Sequence, residues 1–145
     1  DEGAWETAQP IVDFRQQEPT ENGDPVDPME VRIVFDETAL WVGARMHAQH
    51  GGVQAPMSRR DVEGQAEYLQ IELDTFLDHR TAYMFGVTAS GVRLDHFHPT
   101  DNENDSDQQY DPVWRARTTI DADGWSAEMW IPFSQLRFNE SPERV

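Results

Sequence analysis

Eight residues of this chain carry side chains suited to a polyhydroxylated ligand: Trp41 and Trp130; Arg45, Arg115 and Arg117; Glu72, Asp74 and Glu128. An indole offers a flat apolar face to the C–H side of a pyranose ring. Guanidinium and carboxylate groups are planar and make paired, charge-assisted hydrogen bonds to neighbouring hydroxyls. All eight lie on the polar side of segments that alternate with a period of two. Successive strand residues point to opposite faces. Trp41 and Arg45 therefore project from one side of their strand, as do Glu72 and Asp74, Arg115 and Arg117, and Glu128 and Trp130. If these strands are neighbours, the eight line one polar groove with an aromatic floor. The same residues also read as cross-strand Arg–carboxylate pairs on a solvated sheet, each contributing little.

A second group is the acidic run DNENDSDQQYD at 101–111, with Asp101, Glu103, Asp105, Asp107 and Asp111. Calcium takes roughly six to eight oxygen ligands in a flexible shell, which closely spaced acids can supply. Structural calcium is the expectation here, with a solvated loop as the plain alternative. The run is not an EF-hand, because Ser106 stands where glycine is required and Pro112 where the closing glutamate belongs. Asp74 and Asp78 form a weaker metal candidate. His96 and His98, two apart on a strand, form another with Asp95 or Asp101.

Catalysis finds no support in the motifs. There is no nucleophile elbow, metalloprotease helix or phosphate loop. Glu72 and Glu128 could be cast as a hydrolytic pair, but nothing in their local sequence marks either. The expectation is a protein that binds and does not catalyse.

The elements that position these residues are short strands. Val31, Ile33 and Phe35 alternate, and so do Leu40, Val42, Ala44 and Met46; the two segments predict a hairpin. Leu69, Ile71 and Leu73 form the inner face of the next strand. Strands follow at 81–88 and from Val92. Trp114, Ala116, Thr118 and Ile120 then alternate, as do Trp125, Ala127, Met129 and Ile131. Pro132 cannot donate to a ladder and should end that last strand. Ser134 should start a short helical turn. Residues 1–14 read as a helical turn around Trp5 and then extended chain, with Trp5 placed in the core. Seven or more short strands with regular turn signals predict an all-β, two-sheet antiparallel β-sandwich of immunoglobulin or jelly-roll type. Its expected core holds Val31, Ile33, Leu40, Val42, Leu69, Ile71, Leu73, Trp114, Trp125, Met129 and Ile131.

The chain of 145 residues suits one domain. Acidic residues outnumber basic ones 28 to 11, for a net charge of −17, which argues against nucleic acid and anionic membranes as partners. With no cysteine, disulfides and thiolate metal sites are excluded.

Two motifs, D-T-F-x-D-x-R-T-A-Y-x-F at 74–85 and G-W-x-x-E-x-x-I-P-F at 124–133, together with VRIVFDETALWVGARM, resemble the family 9 carbohydrate-binding module. The resemblance runs from Asp1 to Phe138. More narrowly, it is to the version found N-terminal to a predicted outer-membrane β-barrel in bacterial proteins. It implies a non-catalytic β-sandwich that binds an oligo- or polysaccharide, placed outside the cell, in the periplasm or at the outer membrane. It also implies a longer chain, with further strands after Phe138, so residues 1–145 are expected to lack the last strand. The competing expectation is a structural or assembly module that contacts a barrel, or another copy of itself, through an exposed sheet edge.

Overall fold

The computed structural model describes residues 2–57, 66–100, 107 and 109–138. A short helix, α1 (Glu2–Thr7), precedes seven strands: β1 (Met29–Phe35), β2 (Ala39–His47), β3 (Tyr68–Leu73), β4 (Ala82–Thr88), β5 (Arg93–His98), β6 (Arg115–Asp121) and β7 (Gly124–Pro132). A 3-10 turn, Phe133–Gln135, follows directly. One sheet has four strands in the order β1-β2-β7-β6, and the other has three in the order β3-β4-β5. Every pairing is antiparallel. The expected all-β sandwich is the fold observed.

Local chemistry explains the turns. Between β1 and β2 the Asp36 carboxylate accepts the Thr38 and Ala39 backbone N–H groups at 2.7 and 2.9 Å, which is the aspartate-driven turn that reverses a chain. Between β6 and β7, Gly124 takes φ 146° where any Cβ would meet the Met46 carbonyl oxygen, so only glycine fits. β7 ends at Pro132, as a residue without an N–H requires. The following 3-10 turn begins one residue before Ser134, and Ser134 does not cap it.

The core lies between the sheets. It joins Val31, Val42 and Ala44 with Leu69, Phe85, Val87, Trp114, Trp125, Met129 and Ile131. The two buried indoles find acceptors, as buried donors must. Trp114 donates to Asp95 at 2.8 Å and Trp125 to Glu67 at 2.9 Å. Leu40, Ile71 and Leu73 pack against this core while partly exposed.

Ile33 departs from expectation. It occupies the inner face of β1 but stays 43% exposed, with Phe35 beyond it more open still. Three strands cannot cover four, and β1 is an edge. Ile120 on the other edge strand, β6, is exposed for the same reason. Alternation therefore reports the correct face in each case, but the extent of cover depends on the opposing sheet.

Candidate functional site

The outer face of the four-stranded sheet gathers six of the eight expected ligand residues. Strand register sets them in rows. Trp41 pairs with Trp130, which pairs with Arg115; Gly43 pairs with Glu128, which pairs with Arg117; Arg45 pairs with Ser126. The two indoles are 6.2 Å apart between centroids and inclined at 51°, and the Arg115 guanidinium lies 5.0 Å above the Trp130 ring. This is a cation–π geometry, with the guanidinium over the indole face.

The charged groups of this face divide by what they already contact. Arg45 is consumed: it holds Asp121 through two hydrogen bonds of 2.7 and 2.8 Å and reaches Ser126 at 3.1 Å. That contact, first of all, pushes the Asp121 carboxyl down to about 2, helped by the Asp123 backbone N–H. Arg32 on β1 is consumed too, by Glu30 at 2.8 Å and by the carbonyls of Trp5 and Ala8 at 3.0 and 2.8 Å. Arg117 and Glu128, by contrast, are exposed and make no hydrogen bond or ion pair among the described residues. Arg115 lies over the Trp130 ring and makes no hydrogen bond or ion pair among the described residues. The unoccupied donors and acceptors thus border the aromatic pair.

Trp5 belongs to this face and not to the core. Arg32 ties the end of α1 down, and the Trp5 ring lies against Gly43, where an added Cβ would come within 3.1 Å of it. A glycine inside a strand is the sequence signal for such a close approach. Gly43 carried that signal, and the reading of Trp5 as core overlooked it. Three of the chain's five tryptophans therefore stand on one outer surface.

Glu72 and Asp74 do not join the site. Glu72 sits on the outer face of β3, where it accepts a hydrogen bond from Gln70 at 2.9 Å. Asp74 begins the loop after β3. The two sheets stack about 10 Å apart, so their outer faces point in opposite directions. The eight residues expected on one face are corrected to six, on the outer face of the four-stranded sheet. Asp74 and Asp78 are also committed to their own loop. Asp74 accepts the N–H groups of Phe76, Asp78 and His79 at 3.2, 3.3 and 2.8 Å, and Asp78 accepts those of Arg80 and Thr81, both at 2.8 Å. These bonds hold Leu77 and His79 in the left-handed region and leave the carboxylates poorly disposed toward a metal.

Of the expected calcium set, Asp101, Glu103 and Asp105 lie outside the described residues. The Asp107 carboxylate accepts the Gln109 N–H at 2.9 Å, and Asp111 is exposed. His96 and His98 share the outer face of β5, but Asp95 faces inward and is held by Trp114. No group of three or more His, Asp or Glu able to hold a metal occurs among the described residues.

A concavity of about 280 Å³ opens at the end of the sandwich farther from Trp41 and Trp130, lined by residues that include Asp27, His47, Glu67, Tyr68 and Trp125. Its polar groups are largely engaged. Glu67 accepts both the Trp125 indole N–H and the Gln54 N–H at 2.9 Å, and Asp27 accepts the Gln49 N–H at 2.8 Å. On the face that bears Trp41 and Trp130, by contrast, Arg115, Arg117 and Glu128 make no hydrogen bond or ion pair among the described residues.

Solved structures with this fold are known. A family 9 carbohydrate-binding module from Caldicellulosiruptor kristjanssonii, in complex with cellotriose, superposes with a TM-score of 0.62 at 14% identity, covering 97% of this chain and 61% of its own. The same organism's module in complex with glucose gives 0.64 at 16% identity, covering 95% and 64%. A Bacteroides uniformis protein assigned, but not shown, to bind carbohydrate gives 0.63 at 13%, covering 90% and 62%. The fold is that of a family 9 carbohydrate-binding module. The present chain spans less than two thirds of the length of each of these structures. No protein-family model and no curated protein matches the sequence.

Proposed function

We propose that this domain is a non-catalytic module that binds a glycan on the outer face of its four-stranded sheet. The observation that carries this reading is the Trp41–Trp130 pair bordered by Arg115, Arg117 and Glu128, whose hydrogen-bonding capacity is unoccupied among the described residues. The indoles supply the apolar stacking surface, and the three charged groups supply paired donors and acceptors for hydroxyls. The family 9 fold supports the reading, because neighbours with that fold bind cellotriose and glucose. A location outside the cell, in the periplasm or at the outer membrane, on a chain that continues beyond these residues, goes with it.

Calorimetric titration with a panel of neutral and acidic oligosaccharides tests the proposal. Trp130→Ala should weaken the best ligand by about tenfold or more, since buried aromatic anchors dominate such interfaces. Absence of binding to every glycan would overturn it.

A second reading has one observation in its favour. Ile33 and Phe35 leave an apolar strip on the open side of β1, and an edge strand with such a strip can pair with a further strand or a second copy. Sedimentation equilibrium would show concentration-dependent self-association, abolished by Ile33→Lys.

A further inference from the structure

The glycan face differs in charge from the rest of the molecule. The chain has no lysine, so its eleven basic residues are all arginine, set against 28 carboxylates. With acids in such excess, an arginine has many chances to find a counter-ion. On this sheet Arg32 has Glu30 and Arg45 has Asp121, both within salt-bridge distance. Arg115 and Arg117 have none among the described residues, though both are exposed and both stand on the same face of β6. Two residues along a strand separate them, about 6.8 Å between Cα positions. Glu128 is the register partner of Arg117 yet lies beyond salt-bridge distance from it. The result is two guanidinium groups beside an indole pair with no carboxylate within salt-bridge distance among the described residues, in a protein whose net charge is −17.

Neutral sugars do not require this. Amide and carboxylate side chains, or a single arginine, serve their hydroxyls. Two adjacent forks with no carboxylate partner among the described residues match a ring that carries its own carboxylate, because Arg–carboxylate pairing is bidentate and charge-assisted. We infer that the preferred ligand is a carboxylated pyranose, a uronic-acid unit of an acidic polysaccharide, with its ring over the Trp41–Trp130 pair and its carboxylate on Arg115 and Arg117. Glu128 then accepts from hydroxyls. The surrounding negative charge adds selectivity. It repels a polyanion from the rest of the surface, while screening limits that repulsion to about 8 Å at physiological salt and leaves the local pairs intact. This inference rests on the glycan-binding reading above and refines it.

The test compares three ligands by calorimetry: an oligogalacturonide, the same oligomer with its carboxyls reduced to alcohols, and a sulfated oligosaccharide of equal length. The uronate should bind at least about tenfold tighter than its reduced form, the scale expected of hydrogen bonds to a charged group. Arg115→Gln with Arg117→Gln should bring the ratio of those two affinities toward one, with an unchanged melting curve showing that the variant folds. Equal affinity of the acidic and reduced oligomers in the native protein would overturn the inference while leaving glycan binding in place. Tighter binding of the sulfated oligosaccharide would also overturn it. Failure of acidic and neutral glycans alike would remove both readings.

Discussion

The two outer faces of the sandwich use similar strands in opposite ways. On the four-stranded sheet the outer face carries partly open Trp5, Trp41 and Trp130 beside Arg115, Arg117 and Glu128, which have no ion-pair partner among the described residues. On the three-stranded sheet, Met84 and Leu94 face outward by register yet are only 2% and 1% exposed. The central strand β4 is nearly sealed on both sides. On the smaller sheet the outer face is closed over β4 and Leu94 while Tyr68, Gln70 and Glu72 of β3 stay exposed; on the larger sheet the outer aromatic and charged residues stay open. Outward direction alone therefore does not mark a binding surface; open apolar area together with unoccupied charge does.

The largest effect expected from this contrast is on stability. Leu94→Ala should cost about 2–5 kcal/mol, the range for a buried leucine, as read by urea unfolding. A loss below about 1 kcal/mol would mean that the face of the smaller sheet is as open as the other, and the contrast would fail.

Next in size is the reverse behaviour of the tryptophan face. Trp41→Ala should lower glycan affinity about tenfold, measured by calorimetry, while moving stability much less than Leu94→Ala does. Parallel losses of stability and binding would instead make Trp41 a packing residue.

A smaller effect sharpens the role of α1. Gly43→Ala places a methyl group 3.1 Å from the Trp5 ring, so the ring must shift. We expect a changed near-ultraviolet dichroism spectrum and a modest drop in melting temperature. An unchanged spectrum would detach Trp5 from this surface.

The smallest effect concerns the consumed charges. The Asp121 carboxyl titrates at about 2, below its ordinary 3.8, chiefly because Arg45 holds it. A depressed carboxyl contributes stability above its unfolded value, and that contribution is lost as pH falls through the folded one. Asp121→Asn should therefore lower the melting temperature slightly near pH 6. The gap between variant and native protein should close between about pH 4 and pH 2. Because the pair is exposed, a gap that persists at pH 2 would place its cause outside the ion pair.

Much of this fold was legible because one physical rule governs it. Alternation placed Val42, Ala44, Trp125, Met129 and Ile131 inward, and Trp41, Arg45, Glu128 and Trp130 outward, all as observed. Alternation names a face but not a sheet. That is why Glu72 and Asp74 were grouped with residues on the opposite side of the molecule: sheet membership is set by long-range pairing that no local pattern reports. On β4, Tyr83 and Phe85 face the core and Met84 the other side, and the burial of Met84 is something alternation does not report. Which arginines are neutralised was equally hidden. Arg45 meets Asp121 across 76 positions, and Arg117 meets nothing comparable. Gly43 was the one local clue to the seat of Trp5.

The distribution of indoles also makes the domain its own reporter. Trp114 and Trp125 are sealed between the sheets and hydrogen-bonded to carboxylates. Their emission should be insensitive to an added quencher and should form a constant background. Trp5, Trp41 and Trp130 share the open surface, and two of them stand close enough for their transitions to couple. A sugar settling on that surface would displace water from the exposed rings and shield them from iodide. Occupancy could then be followed in unlabelled protein by light alone, with the buried pair as internal standard.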